Sequence, residues 1–229
     1  MTAVRNLIVN ADDFGASSGV NRGIVDAHRK GVVTSTSMTV TGQASADAAA
    51  MSLDNPDLAI GLHWDVWGED EREFDTTDVA AVRAEFARQL DGFVRLMDRL
   101  PTHVDSHRHA HLEHGLLEVF AELVEPIGVP LRGDGKVTFV GGFYGQWEWK
   151  VTDLSHVSVA ALTSILRTEI RGRWTEVSCH PAYVTDDYLH SVYLHERETE
   201  LATLTDPAVR QTIVDEGLRL VSYADYPNG

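Results

Sequence analysis

Carboxylates and imidazoles fall in four separated places along this 229-residue sequence: Asp12-Asp13, His63, the run from Asp105 to His111, and His180. Aspartate and histidine together hold divalent cations and move protons near neutral pH. Asp12-Asp13 run into Phe14-Gly15, and neighbours in an extended chain point to opposite faces. A bend at a strand end, eased by Gly15, turns both carboxylates one way, one to bind a metal and the other to act on its water. Otherwise the pair reads as a helix cap and a turn aspartate. Five of the 11 histidines lie between residues 103 and 114. In extended form Asp105, His107, His109 and His111 share one face; in a helix His107 and His111 stand four apart and pinch an ion. Both geometries point to a metal. The extended one is favoured, because Val104-Asp105 read as a strand end. His63 closes the apolar run Gly61-Leu62, and His180 follows Val177-Ser178-Cys179. Cys179 reads as a small core residue rather than a nucleophile. No Gly-x-Ser-x-Gly elbow accompanies the histidines, which weakens a serine-hydrolase reading.

These residues need elements that bring them together. Leu7-Ile8-Val9 is a short apolar run of buried-strand type, and a helix is expected from Ser18 to a stop at Gly31. Val32–Val40 reads as a second strand, Ala46–Leu53 as a small helix, and Leu58–His63 as a third strand. Val79, Val82, Phe86, Leu90, Phe93 and Met97 recur at steps of three and four, predicting a helix over Thr77–Arg99. A strand at His103–Asp105 and a helix over Leu116–Val124 lead to Val129-Pro130-Leu131. A helix over Ser158–Ile170 precedes the strand Glu176–Cys179, Asp206-Pro207 begins another helix, and Leu218–Tyr223 closes the series. About seven such units predict a distorted (β/α), TIM-like barrel of parallel strands. In that architecture the carboxyl ends of the strands share one face, and all four polar clusters follow strands.

Composition narrows the function. Nineteen basic against 35 acidic residues give a net charge of −16, which repels nucleic acid and anionic lipid. At 43% apolar, with no linker or repeat, residues 1–229 read as a single domain. The sequence has no stretch of about 18 apolar residues, and Met1–Asn6 show no leader pattern. The lone Cys179 fits a reducing compartment, so the cytoplasm is expected.

Asn10–Gly15, Val32–Thr36, Gly61-Leu62-His63, Thr102–His111 and Cys179-His180-Pro181 stand in the order and at the intervals of the YdjC-type carbohydrate deacetylases. The chain resembles that family from Leu7 to about Tyr223. The resemblance implies a distorted (β/α) barrel, one divalent metal ion (Mg²⁺ or Zn²⁺), and hydrolysis of an N-acetyl amide on an amino sugar. It makes Asp13, His63 and His107 the metal ligands, Asp12 the general base, and His180 a group that places water or protonates the leaving amine. His109 and His111 become neighbours in the same site, while Trp64 and Tyr144, near the inferred mouth, offer aromatic faces on which a sugar ring stacks. Trp67 and Trp147 also lie near the inferred mouth. Two regions depart from the pattern: Trp64-Asp65-Val66-Trp67-Gly68 with its short acidic run, and Gly141–Trp147, which matches loosely. The partner expected is a small N-acetylated sugar, with no nucleic acid and no membrane, and with a homo-oligomer left open. The alternatives are another metallohydrolase on the same barrel, a phosphoesterase or cyclic amidase, or a non-catalytic relative that binds sugar or metal.

Overall fold

The computed structural model describes residues 4–68, 74–113 and 115–227. The acidic run after Gly68 and His114 lie outside the described residues. The chain begins with β1 (Arg5–Phe14), buried from its second residue to its last. Burial on both faces is what a parallel strand under helices requires, hence the unbroken Leu7-Ile8-Val9 run. Helix α1 (Ser18–Lys30) starts where the Ser17 side chain accepts the Val20 N–H, and its last turn carries His28, Arg29 and Lys30, favourable at a helix C-terminus. Then come β2 (Ser35–Met38), α2 (Ser45–Leu53), β3 (Ala59–Trp64), α3 (Val79–Met97) and β4 (Val104–Ser106). The second half is α4 (Leu116–Val124), β5 (Thr138–Val140), α5 (Val159–Thr168), β6 (Trp174–Cys179), α6 (His195–Leu204), α7 (Pro207–Asp215) and β7 (Leu218–Leu220).

All pairings are parallel, in the order β4-β3-β2-β1-β6-β5. Strand β6 takes one edge of β1 from Asn6 to Ala11. The other edge is therefore shared, β7 pairing with Arg5–Leu7 and β2 with Asn10–Phe14. The result is an open, distorted (β/α) barrel of seven strands. Its seam lies between β4 and β5, where Val129–Leu131 makes only a single bridge, Val104 to Leu131, in place of a strand. Strand β5 and helix α6 were not expected from the sequence. Among the described residues no helix is long and apolar enough to cross a membrane.

Candidate active site

The first loop solves the problem of two adjacent aspartates with an extra residue. Between β1 and β2 the register runs Ala11 with Thr36, then Phe14 with Met38, so three steps on one strand meet two on the other. This is a β-bulge, the usual device for re-aiming a side chain. Asp13 takes the left-handed backbone conformation, φ +74°, and Gly15 follows at φ +100°. Both carboxylates thus face the same interior space, and Ser17 rather than either aspartate caps α1.

Asp13 Oδ1 lies 3.3 Å from His63 Nε2 and 3.3 Å from His107 Nδ1. The three donor atoms all lie within 4.8 Å of one another. His63 Nδ1 stands 2.7 Å from Asp105 Oδ1. That contact orients the ring and turns Nε2 toward Asp13, as carboxylate partners orient metal histidines. His107 Nε2 is buried without a hydrogen-bond partner, so this ring's polar capacity is not met by protein. Burial disfavours charge on His63, yet Asp105 and Asp13 outweigh it and pull its pKa well up. The cluster attracts positive charge. Asp13, His63 and His107 therefore form a buried site suited to one divalent metal ion. Asp12, His63 and Asp105 also converge, but Arg132 already neutralises both aspartates. Its guanidinium lies 2.7 Å from Asp12 Oδ2 and 2.8 Å from Asp105 Oδ2. A second cation there would face a fixed one.

Asp12 accepts three hydrogen bonds from two residues. Arg132 grips it with both terminal nitrogens, at 2.7 and 2.8 Å, and Asn10 Nδ2 donates to Oδ1 at 2.8 Å. Burial raises its carboxyl pKa, and Arg132 more than offsets that, so the net position is below the ordinary value. It stays a carboxylate. Arg132 also reaches Glu176, and Tyr223 donates to the same glutamate at 2.7 Å. Asp13 Oδ2 takes a hydrogen bond from Arg197 at 2.7 Å, leaving Oδ1 toward the imidazoles. His180 Nε2 lies 3.9 Å from Asp12 Oδ2, and burial pushes this imidazole down to about 4. Its backbone N–H donates to Glu200, which also accepts from Tyr193 Oη. Asp12, Asp13, His63, His107, His109, Tyr144 and His180 all line one cavity of about 680 Å³.

Several expectations need correction. Trp64 is 0% exposed and packs edge-on against Phe74 and Phe120, because it follows His63 on a strand and so faces the helices. It cannot neighbour a substrate. His111 is also fully buried, its ring spent on Ser106 Oγ and the Arg132 carbonyl. The segment after Asp105 is neither extended nor a regular helix. Strand β4 stops at Ser106, and Arg108 and His109 take left-handed conformations at φ 51° and 53° within a 3-10 stretch. That kink sends His107 to the metal cluster and His109 toward Phe139. Trp67 lines a separate cavity that shares Asp13 and His107 with the first. Cys179 is buried, its thiol pKa raised by burial, as a core residue's should be.

Arg132, Glu176, Arg197, Glu200 and Tyr193 were not found from the sequence. Arg132 directly follows the apolar run Val129–Leu131, so the strand-end rule applied to the histidines would have reached it. Arg197 and Glu200 carried no signal, since charged residues three apart on a helix normally mark its wet face.

The profile of the YdjC-like protein family matches residues 6–215. A structure from Enterococcus faecalis, of a protein named for cellobiose-phosphate cleavage, superposes with a TM-score of 0.80 at 26% identity, covering 96% of this chain and 98% of that one. A family 4 carbohydrate esterase from Streptomyces lividans in complex with acetate gives 0.58 at 15% identity, over 93% and 90% of the two chains. The chitin deacetylase of Colletotrichum lindemuthianum gives 0.60 at 12%, over 96% and 86%. The last two share the fold.

Proposed function

The chain belongs to the YdjC-like protein family, and from that membership we propose that it is a metal-dependent hydrolase removing the N-acetyl group from an amino sugar or short oligosaccharide. One observation carries the reading: Asp13, His63 and His107 converge within 4.8 Å beside Asp12 and His180, on the wall of a single cavity. A divalent ion held there supplies Lewis acidity toward an amide carbonyl and lowers the pKa of water. Asp12, ionised and oriented by Arg132, accepts the proton of the attacking water. His180 is uncharged at neutral pH, since burial holds it near 4. The proton it hands to the departing nitrogen is thus one it first receives, and Asp12 lies 3.9 Å from its Nε2. Tyr144, edge-on to His180 at 5.5 Å between ring centres, flanks the substrate with His109. Residues 1–229 act as one domain, and the buried free thiol of Cys179 supports a cytoplasmic setting.

Incubating the protein with N-acetylated sugars and measuring acetate tests this directly. Acetate should appear, stop with chelator, and return when Mg²⁺ or Zn²⁺ is restored. Acetate release unaffected by complete metal removal would refute the reading. Cleavage of cellobiose phosphate without acetate release, following the name of the Enterococcus relative, is the competing outcome. Binding without any release would mark a non-catalytic relative.

His107 offers a narrower check. Losing an outer-sphere partner already costs roughly 10–100-fold in metal affinity, so His107→Ala, which removes a donor itself, should bind metal at least that much more weakly. Elemental analysis after dialysis reads the difference; wild-type metal content in the variant would exclude His107 as a ligand.

A further inference from the structure

One nitrogen of His180 has no part in the chemistry described so far. Nε2 lies 3.9 Å from Asp12 Oδ2, while Nδ1, on the other side of the ring, is buried without a hydrogen-bond partner. Glu200 on α6 stands opposite it, with Oε1 3.9 Å from Nδ1. This glutamate is fully buried and does not line the catalytic cavity. Two donors hold it in place. Oε2 accepts the His180 backbone N–H, and Oε1 accepts from Tyr193 Oη, whose own lone pair takes the Gly145 N–H at 2.8 Å. An uncharged imidazole has one N–H and one bare nitrogen. Nε2 faces a carboxylate that Arg132 grips with two N–H donors, so the hydrogen of the ring belongs there. Nδ1 is then a bare acceptor, and a buried acceptor left unmet is costly. Among the described residues the group placed to meet it is Glu200, carrying a hydrogen. Burial favours that state, pushing the Glu200 carboxyl up to about 8 and this imidazole down to about 4. The 3.9 Å gap is longer than a hydrogen bond, and catalytic contacts of this kind tighten when substrate binds.

We propose that Glu200 is the proton donor behind His180, passing its hydrogen to Nδ1 as the Nε2 hydrogen goes to the departing nitrogen. This role rests on the deacetylase reading and gives its acid step a residue outside the cavity. The protons balance. Asp12 takes one from the attacking water as the new C–O bond forms. Nε2–H then protonates the amide nitrogen, the C–N bond breaks, and Glu200 O–H gives its proton to Nδ1. Amine and acetic acid leave, with Glu200 a carboxylate and the ring still uncharged. The proton held by Asp12 next crosses to Nε2, and the Nδ1 proton returns to Glu200. Asp12 thus resets the ring that Glu200 has discharged. At no point must His180 hold a positive charge, which suits an imidazole that burial keeps neutral. Glu200 touches no substrate and works only through His180.

Ring chemistry and turnover are measured separately. Side-chain nitrogen NMR of the Zn²⁺-loaded protein shows which ring nitrogen holds the hydrogen, the His180 signals being those lost in His180→Asn. At neutral pH it should be Nε2 in the wild type. It should also be Nε2 in Glu200→Gln, whose amide N–H still reaches Nδ1 but has no proton to give. Turnover of Glu200→Gln should nonetheless fall by about 10²-fold or more, with KM within about twofold of wild type. A purely structural role for Glu200 predicts instead that the ring spectrum and KM shift along with the rate. A hydrogen on Nδ1 in the wild type overturns the proposal, since Glu200 would then be an acceptor. Turnover of Glu200→Gln within about threefold of wild type overturns it as well. Should Glu200→Gln fail to fold, the wild-type spectrum decides alone. Acetate from none of the sugars, with the hydrogen on Nε2 in both proteins, removes the deacetylase reading and leaves the Glu200–His180 hydrogen bond standing.

Discussion

Arg132→Met is expected to cost about 3–5 kcal/mol of stability, the range for breaking a buried ion pair by removing one partner. The arginine side chain is fully buried, touches Asp12, Asp105 and Glu176, and lies 5.0 Å from the centre of the Phe139 ring. Methionine approximates its length but leaves three carboxyl groups facing one another in a space closed to water. Protonation relieves only part of that repulsion. A domain is typically stable by about 5–15 kcal/mol, so the variant should sit near the edge of folding. Urea denaturation, or soluble yield if the protein does not fold, gives the answer. A loss below about 1 kcal/mol would mean that the three acids are not held together by this guanidinium. Arg132→Lys should recover little, since one ammonium cannot replace two parallel N–H donors to Asp12.

Asp12→Asn should behave in the opposite way, keeping the metal and losing the chemistry. Its side chain is not among the three convergent donors, so elemental analysis should find the wild-type metal content. Turnover should fall by about 10²–10⁴, the contribution of a positioned general base. The amide can still accept one hydrogen bond from Arg132, but its nitrogen is turned toward a donor. Some stability goes as well, and rates must be compared well below the melting point of the variant. Full activity in Asp12→Asn would exclude the base role and shift attention to Glu176 or His180.

Much of this site was legible before any coordinates, and the reason is architectural. Parallel strands send their carboxyl ends to one face, so the clusters at Asp12-Asp13, His63, Asp105–His111 and His180 could be gathered by chain position, and the family resemblance singled out Asp13, His63 and His107 among them. What escaped was anything that depends on rotation about a bond. The left-handed pair Arg108-His109 breaks the alternation that would have put Asp105, His107, His109 and His111 on one face. Trp64 was misplaced for the converse reason, since the alternation does hold in β3 and turns it away from His63. Helix α6 buries Glu196, Arg197 and Glu200, a stripe that a hydrophobicity pattern cannot distinguish from solvent-facing charge. Strand β5 has only three residues, one of them exposed, too short to leave a period.

Asp13 stands in the left-handed backbone shape that glycine, asparagine and aspartate enter more readily than other residues. Asp13, His63 and His107 converge only when β1, β3 and the segment after β4 are in place, so an ion held by all three would bind the folded chain and not the unfolded one. Folding and ion capture are then one linked equilibrium. A cell starved of divalent cations would hold not just an idle catalyst but a less stable one, cleared sooner by proteases. Supply of the ion would set how much of this protein a cell keeps, as well as how fast each copy works.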